Sequence, residues 1–478
     1  MTLKGTGHNP LHMFPFLTTR KGRTILFRYP AIFLLACAIT ARAQKLNETI
    51  LYGFTNSMDG NYPVGGVIHG QDDSLYGTTS YGGTNGFGTL FKINRDGNGY
   101  RVLRHFDSAT GSGPNGLAQA TNGLLYGAAT SGGSNSVGAI FSINTNGTSY
   151  KQVHAFSTSD GAYPAYGLFC ASNGVIYGTA SQGGISNAGT AFRMNLDGSG
   201  FQVLHQFTNS PDGASPASIM QAADGVLYGG AVSGGISNAG IVFRLTTNGN
   251  SYSILRLFTN SPDGANPEAN FVQGKDGMLY GTTVFGGATY IYGGTLFKMN
   301  TNGGSYAVLH SFPSIAGDGI NADALTITAD GTIYGVAANS GASSSGMVFR
   351  LDTNGNYTVA FGFGTSPPDG RNPVAALTDG GDGALYGTAD HGGTADLGIV
   401  YRLAPPLQLS AQISSSAGTN TSVFSWPAWA SGYGVRTSAT LSNTTWTAIN
   451  APVRSGSTLF TTNKSTALKA FFRLQTPP

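Results

Sequence analysis

Six aspartates recur along the chain, and each stands directly before a glycine. They are Asp59, Asp160, Asp212, Asp263, Asp318 and Asp369. The corresponding loop of one further repeat, residues 111–113, lacks the acid. An aspartate in this setting commonly caps its own turn. The alternative is a ring of carboxylates and carbonyls that binds sugar hydroxyls or Ca²⁺. These six aspartates are therefore the candidate ligand-binding residues, and no metal ligand set is assigned.

Two further acids are candidates for catalysis. Glu268 is one of only two glutamates after residue 43, and Asp323 stands at nearly the equivalent position of the next repeat. If neighbouring repeats place the two carboxyls side by side, they could act as general acid and base on a glycosidic bond. Acids in such a position are more often simply hydrated, so catalysis by Glu268 and Asp323 is kept as the alternative hypothesis.

Other reactive side chains are spread out. His154, His205 and His310 each lie two residues before a repeated phenylalanine, and we expect them to be surface residues of separate outer strands. Cys170 is the only cysteine after residue 43, which leaves no internal disulfide and predicts an inert thiol. The sequence contains no G-x-S-x-G, H-E-x-x-H, P-loop or EF-hand pattern. No cofactor is expected beyond the Ca²⁺ alternative.

A repeated Leu/Ile-Tyr-Gly step predicts the elements that position these residues. Its tyrosines are Tyr76, Tyr126, Tyr177, Tyr228, Tyr280, Tyr334 and Tyr386, with spacings of 50 to 54 residues. Each repeat reads as four short strands joined by Gly, Asn and Asp turns, which is the pattern of one propeller blade. The predicted fold is therefore all-β, with a seven-bladed β-propeller of four-stranded blades over residues 44–403.

The two ends of the repeat region predict ring closure. The last repeat stops after its third strand, at Leu403, while residues 48–54 form a lone fourth strand that precedes the first full repeat. The N-terminal strand can therefore complete blade 7, which would remove two exposed sheet edges.

The first 43 residues have the pattern of a signal peptide. Six basic residues and no acidic one precede residue 44, an apolar run covers residues 31–40, and Ala41-Arg42-Ala43 matches a cleavage site. We expect cleavage near Ala43-Gln44 and a secreted or cell-surface protein. No later stretch is long and apolar enough to predict a transmembrane segment.

Composition changes after Ala404-Pro405-Pro406, the predicted linker. Residues 407–478 contain all three tryptophans and short β-runs, which predict a small β-sandwich. Residues 44–403 carry 14 basic and 22 acidic residues, whereas residues 404–478 carry five basic and none acidic. The predicted mature chain is thus slightly acidic, which argues against a nucleic-acid partner.

The repeat resembles a known family. Leu75-Tyr-Gly-Thr-Thr79, Gly82-Gly83, Gly88-Thr-Leu-Phe-Lys92 and a later Phe…Asp-Gly…Pro are similar to the Gloeobacter/Verrucomicrobia (GloVer) repeat of choice-of-anchor tandem repeat proteins. The C-terminal residues, with Trp446 and Phe471-Phe-Arg-Leu474 (residues 471–474), resemble modules of secreted Verrucomicrobia-like proteins. The resemblance implies export and surface display, and it implies no catalytic residues.

Near-identical loops favour binding over catalysis. Residues 207–214 repeat as 258–265, and residues 183–189 repeat as 234–240. Repeated surfaces suit a multivalent binder. The first hypothesis is an exported non-enzymatic scaffold that binds or displays carbohydrate or another extracellular component, with polysaccharide or a cell-surface component as its partner. The alternative is a secreted carbohydrate-active hydrolase or lyase. A purely structural role is the third hypothesis.

Overall fold

The computed structural model describes residues 45–475 except 56, 165, 269, 289–291, 342–343, 365–367, 417–418, 439–445 and 466–470. The predicted signal peptide lies outside the described residues. Within them the chain divides into two compact units, one ending at Pro406 and the other beginning at Leu407. The described residues form strands and one 3-10 turn, with no α-helix, which confirms the all-β prediction.

Seven four-stranded antiparallel sheets make up the larger unit. Sheet 1 consists of β2 (Val67–His69), β3 (Ser74–Thr79), β4 (Thr89–Asn94) and β5 (Arg101–His105). Sheet 2 consists of β6 (Ser112–Gln119), β7 (Leu125–Ser131), β8 (Ala139–Ile143) and β9 (Lys151–Ala155). Sheet 3 consists of β10 (Leu168–Cys170), β11 (Val175–Ala180), β12 (Thr190–Asn195) and β13 (Gln202–Gln206).

Sheets 4 to 6 repeat the same order. Sheet 4 consists of β14 (Ala214–Gln221), β15 (Leu227–Ser233), β16 (Ile241–Leu245) and β17 (Tyr252–Leu257). Sheet 5 consists of β18 (Val272–Gln273), β19 (Leu279–Thr283), β20 (Thr295–Met299) and β21 (Ala307–Ser311). Sheet 6 consists of β22 (Gly319–Ile327), β23 (Ile333–Ser340), β24 (Met347–Leu351) and β25 (Tyr357–Gly362).

Sheet 7 is assembled from both ends of the repeat region. It consists of β26 (Thr378–Asp379), β27 (Leu385–Ala389), β28 (Ile399–Ala404) and the N-terminal strand β1 (Asn47–Gly53). β1 pairs antiparallel with β28, from Asn47 opposite Ala404 to Gly53 opposite Ile399. The ladder is irregular between Ile50 and Tyr52, as it is between the third and fourth strands of the other sheets. β1 therefore occupies the place of a fourth strand.

The Tyr-Gly step has a packing reason. A Cβ atom on Gly178 would lie 2.6 Å from Cζ of Phe192, because the third-strand ring covers the glycine. The preceding tyrosine is buried and its hydroxyl reaches towards the next repeat, as in the 2.9 Å hydrogen bond from Tyr126 to the Leu196 carbonyl. One short motif thus serves packing within a sheet and contact between sheets.

Neighbouring sheets also join through their first and second strands, which we call the inner strands. The fourth strand of each sheet is the outer strand. Thr282 Oγ1 donates to the Ala322 carbonyl at 2.8 Å, which links sheets 5 and 6. Thr378 of sheet 7 donates in the same way to the Val67 carbonyl of sheet 1. Arg95, in the β4–β5 turn of sheet 1, donates to Asp382 of sheet 7 at 2.8 Å. The last repeat is therefore in contact with the first.

The smaller unit contains two sheets around one core. The first sheet has the order β29 (Ser410–Ser416), β30 (Thr419–Pro427), β34 (Thr458–Ser465), β33 (Val453–Ser455), and the second β32 (Thr447–Ala448), β31 (Gly434–Ser438), β35 (Phe471–Gln475). Trp426 of the first sheet and Val435 and Phe472 of the second belong to the same buried cluster. Two antiparallel sheets that share a core have the arrangement of a sandwich.

Phe207 tests how much a repeated aromatic contributes. It is fully buried, with its ring 5.2 Å from that of Phe243 and edge-on to it. Phe207→Ala should lower the free energy of unfolding by about 3–5 kcal/mol, because it leaves a cavity. Ile185, which is 80% exposed, provides the control: Ile185→Ala should change stability by less than about 0.5 kcal/mol. Denaturant titration measures both, and equal effects would contradict the packing argument.

Candidate ligand-binding site

The repeated aspartates cap the loops that lead from one sheet to the next. The Asp212 carboxylate accepts hydrogen bonds from the backbone N–H and the hydroxyl of Thr208, at 3.0 and 3.2 Å. Equivalent backbone bonds run from Thr55 to Asp59, Ser157 to Asp160, Thr259 to Asp263 and Ser314 to Asp318. The residue that would cap onto Asp369 lies outside the described part of the chain.

Each capping carboxylate also contacts a side chain of the preceding outer strand. The partners lie two residues before the repeated phenylalanine and comprise Tyr52, His154, His205, Arg256 and His310, which contact Asp59, Asp160, Asp212, Asp263 and Asp318 at 2.6 to 3.4 Å. In the repeat whose loop lacks the acid, Asp107 has the equivalent role. Its carboxylate accepts a hydrogen bond from the Thr110 N–H at 2.8 Å and lies 3.8 Å from the Arg104 guanidinium.

These partner side chains stack on an aromatic ring of the next sheet. We call the six pairs the inter-sheet stack: Tyr52–Tyr100, Arg104–Tyr150, His154–Phe201, His205–Tyr252, Arg256–Tyr306 and His310–Tyr357, with ring or guanidinium separations of 3.6 to 3.9 Å. The expectation that the three histidines are ordinary surface residues is wrong, because each is sandwiched between a carboxylate and a ring.

The capping contacts lower the pKa of two of these aspartates. Burial would raise the pKa of Asp212, but hydrogen bonds from His205 and Thr208 outweigh it and lower that pKa. The same competition, with His310 and Tyr357 as donors, lowers the pKa of Asp318. The ligand-binding role of the six aspartates stays a prediction, and the contacts show five of the carboxylates, those other than Asp369, engaged within the fold.

Other polar side chains converge at the inner strands. Tyr166, just before β10, donates a 2.8 Å hydrogen bond to Glu268 Oε1, just before β18, although the two lie 102 residues apart. Asp323 on β22 interacts electrostatically with Tyr166 and Glu268, and Asp390 after β27 interacts with Asp323. We call these four residues, which come from sheets 3, 5, 6 and 7, the inner acidic cluster.

Burial and mutual repulsion govern the charge of this cluster. Burial, then the neighbouring carboxylates of Glu268 and Asp390, raise the pKa of Asp323 well above its usual value. Burial also raises the pKa of Asp390, although His391 donates to its carboxylate from 2.8 Å. Burial and repulsion thus favour the protonated form of Asp323, and the Tyr166 hydroxyl donates its hydrogen bond to Glu268.

Aromatic rings border the cluster at His391. The His391 ring is 5.2 Å from that of Tyr62, which in turn lies 5.8 Å from Tyr81, and both contacts are edge-on. Tyr81 is 59% exposed, so its ring is available to a ligand. Arg371, opposite His391 in the backbone pairing, forms an ion pair with Asp396. The region therefore offers carboxyl groups and ring surfaces side by side.

Sequence reasoning found half of this cluster. Glu268 and Asp323 were the predicted catalytic candidates, and the structure brings them into electrostatic contact. Tyr166 and Asp390 were missed. The available signal was a break in the repeat: the position of Asp390, four residues after the Tyr-Gly tyrosine, is Ser, Thr, Val or Ala in the other six copies. Within the described residues, no group of three or more His, Cys, Asp or Glu is arranged to hold a metal ion.

Comparison with known proteins identifies the repeat. The sequence model of the Gloeobacter/Verrucomicrobia repeat matches residues 38–243 and 217–448. A search of curated proteins found no match. None of the described residues forms a helix with the length and apolar character that crossing a bilayer requires.

Solved structures show a similar fold at low identity. The extracellular domain of a protein described as a one component system, from B. thetaiotaomicron, has a TM-score of 0.51 at 10% identity over 91% of this chain and 58% of its own. The extracellular domain of a hybrid two component system from the same bacterium has a TM-score of 0.48 at 11% identity, over 90% of this chain and 57% of its own. A gluconolactonase from Xanthomonas campestris has a TM-score of 0.40 at 13% identity, over 76% of this chain and 91% of its own. The chain spans under three fifths of the two extracellular domains, and the first likeness supports a propeller-like fold alone.

Asp318 provides a pH test of the capping role. Its depressed pKa contributes stability that is present above the unfolded pKa of about 3.9 and is lost as pH falls through the folded pKa. Asp318→Asn should therefore lower the free energy of unfolding at pH 7 by about 2 kcal/mol, with a smaller deficit at lower pH. Asp96, whose carboxylate caps only its own exposed turn, is the control. An Asp318→Asn deficit that is constant from pH 7 to 3 would contradict the assignment.

The inner acidic cluster predicts coupled titration. Glu268→Gln removes the carboxyl group with the larger electrostatic effect on Asp323 and should lower the pKa of Asp323, and Asp390→Asn should lower it less. Carboxyl carbon chemical shifts followed across pH measure both effects. An Asp323 pKa that responds to neither substitution would mean that the three carboxyl groups do not share a site.

Proposed function

Because this chain belongs to the Gloeobacter/Verrucomicrobia repeat family, we propose that it is an exported, non-enzymatic repeat protein that binds an extracellular carbohydrate at the inner acidic cluster. The observation that carries the proposal is the hydrogen bond between Tyr166 and Glu268, which joins two sheets at positions where the repeat is broken. Four sheets supply polar groups to one place, and aromatic rings border it. Carboxyl groups bind hydroxyls, while ring faces cover the apolar side of a sugar.

The architecture that we propose is a closed seven-bladed propeller over residues 44–403, joined by residues 404–406 to a β-sandwich of residues 407–478. Contacts of sheet 7 with sheet 1 support closure: the Thr378–Val67 hydrogen bond, the Arg95–Asp382 pair and the stacked rings of Tyr52 and Tyr100. In a closed ring the inner acidic cluster would line the mouth of the central channel, at the end where the Asp-Gly loops lie. Propellers with this geometry bind ligands there.

Location outside the cytoplasm is part of the proposal. The basic and apolar pattern of the first 43 residues supports export, with cleavage near Ala43-Gln44. The solved structure with the TM-score of 0.51 is itself described as an extracellular domain. An acidic repeat region is a poor match for nucleic acid, and a polysaccharide or a cell-surface component is the proposed partner.

A second function is favoured by one observation. Asp323 has a raised pKa beside Glu268, whose carboxylate accepts a hydrogen bond from Tyr166. A protonated acid next to a stabilised carboxylate is the arrangement that glycoside hydrolysis uses for its acid and its base or nucleophile. The alternative is therefore a secreted carbohydrate-active enzyme with Glu268 and Asp323 as its catalytic residues.

One experiment separates the two functions. The secreted protein is applied to an array of bacterial and algal glycans with and without Ca²⁺, and the products of each bound glycan are analysed. Glu268→Gln and Asp323→Asn should each weaken binding roughly 10- to 100-fold, because each loses a hydrogen bond of a charged or buried group. Asp352→Asn, in an exposed turn of sheet 6, should bind like the native protein.

The outcomes are distinct. Binding without products supports the scaffold, and turnover that Glu268→Gln abolishes supports the enzyme. Binding that neither inner substitution changes, but that substitution of Asp212 or Asp263 weakens, would move the site to the Asp-Gly loops. The absence of binding to any glycan would overturn the carbohydrate proposal.

A further inference from the structure

The inter-sheet stack is broken at one joint, between sheets 6 and 7. In the other six joints a tyrosine or phenylalanine stands six residues before the fourth-strand phenylalanine; the equivalent residue of β1 is Glu48. The register confirms the equivalence, since Glu48 lies opposite Leu403 as Tyr252 lies opposite Leu245 and Tyr357 opposite Leu351. A carboxyl group therefore occupies the place of an aromatic ring.

The donors that surround this place elsewhere are also missing. The residue two before the phenylalanine, which elsewhere is Tyr, Arg or His and contacts the capping aspartate, is here Phe361, so it offers Asp369 no proton. Tyrosines at the Glu48 position donate to the loop that leads into their own sheet, as Tyr252 does to the Asp212 carbonyl at 2.7 Å. Only a protonated Glu48 could act as such a donor.

Among the described residues, two buried oxygens at this joint have no hydrogen-bond partner. They are Glu48 Oε1 and Tyr401 Oη, and Tyr401 stands where six repeats have a third-strand phenylalanine. The charged or titratable groups that face Glu48 are Asp369, from the loop before β26, and Tyr401, from β28. Arg402 follows on the opposite face of β28, with its guanidinium near Thr49. Sheet 6 brings Phe361 on β25 and Phe363 just after it, and neither ring can compensate a charge.

We propose that Glu48 is a pH-sensitive latch for the N-terminal strand: protonated, it holds β1 on β28, and ionised, it loosens β1. The ionised form would place two carboxylates, Glu48 and Asp369, in one desolvated joint with unpaired oxygens. The protonated form removes the repulsion and supplies the donor that five of the other joints obtain from a phenol. This inference concerns the stability of sheet 7 and does not rest on the carbohydrate proposal.

The sign of the effect follows from the protonation of the two states. Burial, then the charge of Asp369, raise the pKa of Glu48 to about 7 from an ordinary 4.5, with a smaller opposing hydrogen bond from the Gly370 backbone. Docked β1 therefore binds a proton more tightly than released β1. Its stability is full below the ordinary pKa and decreases as pH rises through the interval up to the raised pKa. Release of β1 should become roughly 100-fold more populated between pH 5 and 8.

Native-state hydrogen exchange measures this release. Amide exchange of β1 and β28 is followed by mass spectrometry at pH 5 to 8 and divided by the intrinsic rate at each pH. Protection of the β1–β28 ladder should fall with rising pH, while the equivalent β4–β5 ladder of sheet 1, where Tyr100 replaces Glu48, provides an internal reference. Glu48→Gln, which cannot ionise, should abolish the extra pH dependence.

A second variant keeps the test independent of folding defects. Glu48→Tyr restores the residue found in five other repeats, namely Tyr100, Tyr150, Tyr252, Tyr306 and Tyr357, and should both protect β1 and remove its pH dependence. If β1 and β5 lose protection in parallel as pH rises, or if Glu48→Gln retains the native pH dependence, the latch is overturned.

Discussion

The interaction on which the repeat region depends is the link from a capped loop, through one side chain, to an aromatic ring of the next sheet. An aspartate such as Asp212 closes the loop that leads out of its sheet, and the same carboxylate holds His205 in place. His205 then covers the ring of Tyr252 at 3.7 Å. Each sheet has only two to nine residues in its first strand. Fixing the loop, the outer strand and the neighbouring sheet with one carboxylate therefore couples elements that would otherwise be independent.

This use of the loop aspartates determines where a binding site can develop. Carboxylates that fix the spacing between sheets cannot be exchanged freely, because an unpaired buried partner is costly. The beginning of the first strand and the end of the second are under less constraint: these positions are Val, Ala, Ser or Thr in most copies. Tyr166, Glu268, Asp323 and Asp390 stand there, and each departs from the repeat. Nearly identical outer loops are thus compatible with one asymmetric site on the inner strands.

The sequence predicted what depends on short-range pattern. The Tyr-Gly step and the Asp-Gly turns predicted four strands a repeat, and the unpaired strand at residues 48–54 predicted the partner of β28, which the register of β1 confirms. The inter-sheet stack could not be read in this way, because His205 and Tyr252 belong to different repeats and neither position carries one invariant residue. Glu268 and Asp323 were found because they occupy equivalent positions. Asp390 was missed because it lies just after a second strand, β27, where the comparison of loops did not extend.

The joint between sheets 6 and 7 shows how a repeat can be altered at the point where its two ends meet. In the other joints both strands of a pair arrive in chain order, so an aromatic residue can stack as the next sheet folds. β1 is made first and must wait for β28, which begins some 350 residues later. A tyrosine at position 48 would give this strand an exposed apolar ring during that interval, whereas the Glu48 carboxyl is polar in water and is more easily protonated once it is buried. The stability of the docked strand therefore depends on one proton. This dependence is confined to a single joint, because only there do Glu48 and Phe361 replace the aromatic ring and the donor together.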